Sequence, residues 1–261
     1  MGLEDLRQMW LYRELYLFMV WREIKLRYKQ TTLGIAWAVL QPLLTMAVFL
    51  VLFSRVAKIP TDGLPSALFY YVALVPWIYF STALTLSGNS LINNTDLLTK
   101  IYFPRRILPA AHTLSGLVDF GLSSLVIIGM LAYYGIWPDL HVLWWPVITM
   151  LLLILTYGVG LFLAALTVKY RDVKFAVPFA IQLGLFVTPI IYPVSMVPDK
   201  FRLLVLLNPL TGIIEAFRSA IFPDQRIQWE LLMYSTIMTG LIVLVGEVYF
   251  RKTEKYFADL V

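Results

Sequence analysis

Six long apolar segments, separated by short polar stretches, dominate the pattern of hydrophobic and polar positions along this chain of 261 residues. The first contains no charged residue between Lys29 and Arg55, and as a helix it would exceed the ~30 Å thickness of a bilayer's hydrocarbon core. The pattern therefore predicts an all-α integral membrane protein. Its six transmembrane helices are expected at about residues 35–53, 67–86, 107–134, 142–168, 175–192 and 231–250.

The segment between the fifth and sixth spans has a different pattern. Residues 193–230 combine short apolar runs with four prolines, at positions 193, 198, 209 and 223. Because an apolar run such as 203–207 is far too short to cross a bilayer, the segment predicts re-entrant or interfacial helices rather than a seventh span.

The residues before the first span predict an amphipathic helix that lies at the cytoplasmic membrane surface. Its charged residues recur at helical spacing, among them Arg22, Lys25 and Lys29, and form a stripe that would face the cytosol or a partner. Trp21 and Tyr28 would lie at the depth of the lipid headgroups. The residues singled out in this helix are Arg22, Lys25, Arg27 and Tyr28. We therefore divide the chain into an interface helix, residues 1–32, and a six-helix transmembrane domain, residues 33–261.

Composition and charge support this division and set the orientation. The chain is 60% hydrophobic and 14% charged, so it is too apolar for a water-soluble fold, and its net charge of +5 is spread between apolar blocks rather than clustered as in a nucleic-acid-binding protein. With both termini in the cytoplasm, 15 of the 21 lysines and arginines lie on the cytoplasmic side, as the positive-inside rule requires. The absence of cysteine excludes disulfides and cysteine-ligated metals.

A catalytic function finds little support in the sequence. The two histidines, His112 and His141, form no metal-ligand spacing with carboxylates, and no glycine is followed by lysine, so the chain has no Walker A phosphate-binding loop. Asp119 is an acid within the third predicted span. Burying a charged carboxylate in lipid costs free energy, which makes Asp119 a functional candidate. It would serve equally well to fix helix packing through a hydrogen bond with Thr113 or Ser123.

The loop between the second and third spans combines apolar and basic residues in a way that is unusual for a cytosolic connection. A short helix that starts near Asp96 and ends before Pro104 would present an apolar patch with basic residues at its edge, which favours docking of a cytosolic subunit over a membrane-lying elbow. The candidate docking residues are Leu97, Lys100, Ile101, Tyr102, Phe103, Arg105 and Arg106.

Five sequence blocks resemble one family across nearly the whole chain. They are REIKLRYKQTTLGIAW at 22–37, KIYFPR at 100–105, YRDV at 170–173, TPIIYP at 188–193 and LNPL at 207–210. In this order they resemble the permease subunits of type-2 ATP-binding-cassette exporters of lipid-linked polysaccharide, such as O-antigen, capsule or teichoic acid.

This resemblance implies specific roles for the segments. The N-terminal helix would contact the ATPase, the loop around Lys100 would be the coupling helix, and residues 193–230 would form paired external gate helices. Two copies would enclose a channel, each on a separate ATPase subunit that binds ATP and Mg²⁺, so the chain itself would need no cofactor. The residues expected in the external gate region are Pro189, Tyr192, Pro193, Asn208, Pro209, Glu215 and Arg218.

The sequence thus predicts a multi-pass protein of the cytoplasmic membrane that exports a lipid-linked polysaccharide and has no nucleic-acid partner. Two alternatives remain at this point. The same fold would also suit export of a small amphiphile or drug, whereas a membrane enzyme acting on lipid-linked sugars would need more catalytic groups than Asp119, Asp172 and Glu247 offer.

Overall fold

The computed structural model describes residues 11–29, 34–100, 103–223, 225–255 and 257. Within these residues every regular element is a helix, which confirms the predicted all-α class. In chain order the helices are α1 (Arg13–Tyr28), α2 (Ala36–Phe49, continued by a π-helical segment Leu50–Val56), α3 (Ser66–Asn89), α4 (Thr95–Lys100), α5 (Ile107–Tyr134), α6 (Trp145–Lys169), α7 (Val173–Val187), α8 (Asp199–Leu207), α9 (Pro209–Ile221) and α10 (Trp229–Glu254). Short 3₁₀ turns cover Ile92–Asn94, Leu140–Trp144 and Val194–Met196.

Five helices are long and apolar enough to cross a membrane. They are Ala36–Val56, Ser66–Asn89, Ile107–Tyr134, Leu140–Lys169 and Trp229–Glu254. These helices correspond to predicted spans one, two, three, four and six. A sixth candidate is the pair α8 and α9, whose axes meet at 92°.

The predicted fifth span is shorter than expected. Helix α7 contains 15 residues, about 22 Å, and ends at Val187, so the predicted end at residue 192 is wrong. The reason is Pro189, because the residue that precedes a proline is pushed out of the helical region, and Thr188 is indeed extended. Alone, α7 does not span a ~30 Å hydrocarbon core.

The segment between α7 and α10 contains short helices, where re-entrant or interfacial helices were predicted. Helix α8 ends at Leu207, and the side chain of the next residue, Asn208, accepts a hydrogen bond from the Leu210 amide and so caps α9, while Pro209 occupies the first turn of α9. An asparagine cap followed by proline is a strong helix start. The sharp bend therefore follows directly from the sequence LNPL.

Helix α3 lies at the centre of the bundle. From Leu68 to Leu74 each of its side chains is at most 2% exposed, as expected for a helix that is apolar on all sides. Helices α6 and α10 also approach closely, because a Cβ atom at Gly246 would lie 2.4 Å from the carbonyl oxygen of Gly158. Small residues at such crossings allow transmembrane helices to pack backbone to backbone.

A second hydrophobic cluster lies at one end of the bundle. It joins α1, the turn after α3, the start of α5 and the end of α10 through Met19, Leu91, Phe103, Ile107 and Phe250. We call this the basic end, because arginines 22, 105, 106 and 251 lie on the segments that form it. The other end, which holds α8 and α9, is called the opposite end.

Candidate functional site

Helix α1 lies along the first half of α5 rather than apart from the bundle. Met19 is 5% exposed in the basic-end cluster, Glu23 lies 3.3 Å from Nδ1 of His112, and Arg27 contacts Asp119. Contacts therefore advance along both helices in the same direction, so α1 and α5 run roughly parallel. Near the start of α1, burial raises the pKa of Tyr16 to about 12, against the opposing effect of the nearby Arg106.

The charged residues of α1 divide between two sides. Arg22 donates to Glu23 Oε1 at 2.7 Å and to Asn94 Oδ1 at 2.9 Å, whereas Lys25 is exposed and lies over the ring of Trp21. Of the predicted stripe, Arg22 therefore pairs within its own chain and Lys25 is exposed. Arg27, which lies outside that stripe, also pairs within the chain, because Asp119 lies beside α1 in the fold.

Asp119 has two partners on α1. Its carboxylate accepts hydrogen bonds from the Arg27 guanidinium and from the Tyr28 hydroxyl. The expected packing partners are otherwise engaged, since Thr113 donates to the Pro109 carbonyl and Ser123 to the Ala38 carbonyl. Burial and the hydrogen bond to Asp119 raise the pKa of Tyr28, so this phenol stays protonated and remains a donor.

The ion pair with Arg27 explains how a carboxylate is tolerated at Asp119. This residue lies twelve residues into α5, about 18 Å along a helix of 28 residues, and Ser123, one turn further, contacts the first turn of α2. Asp119 is therefore near the middle of a helix that is long enough to cross the membrane, and Arg27 neutralises its charge there.

The predicted docking residues differ in their burial. Helix α4 confirms the expected short helix, with Leu97 packed on the basic-end cluster and Lys100 exposed; Ile101 and Tyr102 lie outside the described residues. Phe103 is only 6% exposed and belongs to the cluster itself. A surface role for its side chain does not agree with this burial.

The two arginines after Phe103 bind the end of α10. Arg105 donates to the carbonyl of Glu254 at 2.7 Å and lies over the ring of Phe257, and Arg106 pairs with Glu247 at 2.7 Å. The outer face of α4 is formed instead by Asp96 and Lys100, which are both exposed. The loop therefore joins α4 firmly to the bundle.

The predicted external gate residues converge at the opposite end. Arg218, 1% exposed, donates to Glu215 and to the Pro189 carbonyl, both at 2.8 Å, and to the Ile190 carbonyl at 2.9 Å. Its guanidinium also lies 3.7 Å from the ring centroid of Phe69 on α3. One side chain on α9 thus fixes the loop that follows α7.

The remaining gate residues extend this network. The Tyr192 hydroxyl donates to the carbonyls of Phe186 and Val187, and the Asn208 amide donates to Thr188 at 2.8 Å. Pro209 begins α9, and Pro193 begins the 3₁₀ turn that leads to α8. All seven predicted residues therefore either make one of these contacts or stand at the start of a neighbouring helix.

Sequence reasoning missed several partners in these networks. Glu23, His112 and Glu247 were not assigned to pairs, and Phe69 was not placed beside Arg218. One signal was available, since each acid within an apolar span requires a basic partner and Glu247 lies in span six. Among the described residues, no group of three or more histidine, aspartate or glutamate side chains could hold a metal ion.

A family model of the ABC-2 type transporter matches residues 14–222 of the chain. The chain belongs to this family. The match confirms the resemblance identified from the sequence blocks, and it makes the protein a transport subunit rather than an enzyme. It includes α1, the loop around Lys100 and the α8–α9 pair, so the matched region contains the whole opposite-end network.

Named relatives of this ABC-2 type transporter extend over nearly the full chain. The O-antigen export system permease protein RfbA of Myxococcus xanthus is 31% identical over 255 residues, which is 97% of each chain. The RfbA protein of Klebsiella pneumoniae is 30% identical and covers 92% of each chain. The polysialic acid transport protein KpsM of Escherichia coli is 25% identical, over 90% of this chain and 91% of its own.

Proposed function

We propose that this chain is the membrane-spanning subunit of an ATP-driven exporter that moves a lipid-linked polysaccharide across the cytoplasmic membrane. The observation that carries the proposal is the full-length likeness to two kinds of polysaccharide export protein, O-antigen permeases and a polysialic acid transporter. This likeness favours a glycan over a small amphiphile as cargo. A membrane enzyme is no longer a candidate.

The subunit works as a homodimer with a separate ATPase, which binds ATP and Mg²⁺. The helix of span one, Ala36–Val56, supports a dimer, since only 11% of its most apolar part is buried within one chain. The basic end faces the cytoplasm because the loops there carry most of the lysines and arginines. ATP-driven closure of the partner then acts on α4 and, through the Arg105 and Arg106 contacts, on α5 and α10.

Deletion of the chain tests the proposal in a strain that makes the glycan. We expect surface glycan to be lost and lipid-linked glycan to accumulate in the cytoplasmic membrane, and we expect export to return only when the chain and an active ATPase are expressed together. Immunoblots of surface glycan and extraction of lipid-linked glycan measure the two pools. Normal surface glycan without the chain would refute the proposal, as would uphill transport by vesicles containing this polypeptide alone.

Reversal of the exposed charge on α4 tests the docking face. Lys100→Glu is expected to weaken co-purification of the ATPase several-fold while the chain still inserts and folds, because Lys100 points away from the bundle and its loss exposes no buried group. Affinity purification of the solubilised complex, followed by measurement of ATPase stimulation, gives the result.

Two further variants make the docking experiment specific. Arg226→Glu reverses an exposed charge at the opposite end and should leave the complex intact. Phe103→Asp should instead reduce the amount of folded chain, because it places a charge in the basic-end cluster. Equal ATPase recovery with Lys100→Glu and with the wild-type chain would exclude this face of α4.

A further inference from the structure

A cavity of about 650 Å³ lies between α1 and spans one, two and three. Its volume is within the range of about 300–1,000 Å³ that is typical of small-molecule sites. The cavity lies at the level of Asp119 and the first turns of α2, and its lining residues on spans two and three, within 75–82 and 116–123, lie near the middle of those helices. A ligand in this cavity would therefore lie within the bundle of spans.

The walls of the cavity combine two kinds of surface. One wall carries the Arg27–Asp119 pair with Tyr28, and Gln41 and Thr82 add neutral polar groups from spans one and two. The ring of Trp37, 52% exposed, lies at the start of span one and also lines the cavity. Exposed polar groups on otherwise apolar spans would be costly against lipid, which indicates a cavity filled by water or by a polar ligand.

The charge of this wall selects the class of ligand. Arg27 and Asp119 neutralise each other, so the pair gives no net attraction for an isolated phosphate or a cation. A guanidinium has five N–H donors and a carboxylate has about four acceptor positions, more than their mutual contact uses. Adjacent donors and acceptors beside an exposed aromatic face match a sugar ring, whose hydroxyl groups both donate and accept and whose C–H face packs on aromatic rings.

We propose that this cavity is a subsite for neutral sugar rings of the glycan, within the transport path. The proposal rests on the proposed function and deepens it, because it assigns protein groups that the sugars contact along this path. Arg27, Tyr28 and Asp119 bind hydroxyl groups, and Trp37 supplies the stacking face. The Arg27–Asp119 contact thereby also joins α1 to the sugar site.

The absence of native cysteine makes the chain suited to a thiol-accessibility test. Single cysteines are introduced in the cavity, by Gln41→Cys and Thr82→Cys, and on the outer face of span three, by Leu125→Cys, where the leucine is 61% exposed. An anionic methanethiosulfonate reagent is added to membranes that contain the assembled transporter. We expect the cavity thiols to react at least about tenfold faster than the Leu125→Cys thiol, because only thiols in contact with water ionise.

Protection by the glycan then identifies the ligand. Reaction rates are compared between a strain that synthesises its lipid-linked glycan and an otherwise identical strain that lacks the enzyme initiating the glycan. We expect the glycan to slow reaction at Gln41→Cys and Thr82→Cys several-fold and to leave Leu125→Cys unchanged. Trp37→Ala should abolish the protection, whereas Trp37→Phe, which keeps an aromatic face, should retain most of it.

The outcomes separate this proposal from the proposed function. Cavity thiols that react no faster than Leu125→Cys, or react equally in both strains while export continues, would overturn the sugar subsite and leave the export function standing. Glycan export that continues without the chain would overturn both.

Discussion

Arg218→Met is expected to destabilise the opposite end of the protein and abolish export. The guanidinium is 1% exposed and holds Glu215 and two carbonyls of the loop after α7, so its removal leaves a buried carboxylate and two buried acceptors without a donor. Removal of one partner of a buried ion pair typically costs about 3–5 kcal/mol. Thermal unfolding of the detergent-purified protein and an assay of surface glycan would measure the two effects.

The chain provides a matched control for this variant. Arg202 and Asp199 form an ion pair with the same spacing of three residues, but their side chains are 60% and 99% exposed, so Arg202→Met should change stability by less than about 1 kcal/mol. Arg218→Lys should remain defective, because a single ammonium group cannot reproduce the planar arrangement of donors. Wild-type stability of Arg218→Met would show that the network does not hold the α8–α9 pair in place.

The spans could be predicted from sequence because membrane burial leaves a strong signal. Long apolar runs with no charge, or with a single acid, located spans one to four and six, and the prolines of 193–230 indicated re-entrant or interfacial helices. The end of span five was misplaced because hydropathy continues through Ile190 and Ile191 while Pro189 has already ended the helix. A backbone effect of one residue therefore overrode an apolar pattern.

The pairing of polar residues was less accessible to sequence reasoning. Both members of the Glu215–Arg218 pair lie on one helix, three residues apart, and such local pairs can be inferred from spacing. Arg27 and Asp119, by contrast, are far apart in sequence, and only the position of α1 beside α5 brings them together. The burial of Phe103 has the same origin, since the helices that cover it come from both ends of the chain.

Asp119→Asn is expected to loosen α1 from span three and to reduce export strongly. The asparagine amide is neutral, so it does not balance the charge of Arg27. The variant also loses the charge-assisted hydrogen bonds that the Asp119 carboxylate accepts from Arg27 and Tyr28, each of which is typically worth about 1.5–3 kcal/mol. Because α1 carries Arg22, Lys25 and Arg27, limited trypsin digestion of the purified complex reports its release, and we expect faster cleavage there.

A charge exchange distinguishes the ion pair from simple packing. Arg27→Asp combined with Asp119→Arg restores opposite charges at the same two positions. The double variant should therefore recover part of the trypsin resistance that either single change loses. The double-mutant cycle gives the coupling free energy between the two positions. Lys25→Gln removes an exposed charge two residues away and should leave the protection of α1 against trypsin unchanged. If Asp119→Asn retained wild-type export and trypsin resistance, the carboxylate would be only a packing group, and the link between α1 and span three would depend on Glu23, His112 and the apolar contacts of Met19.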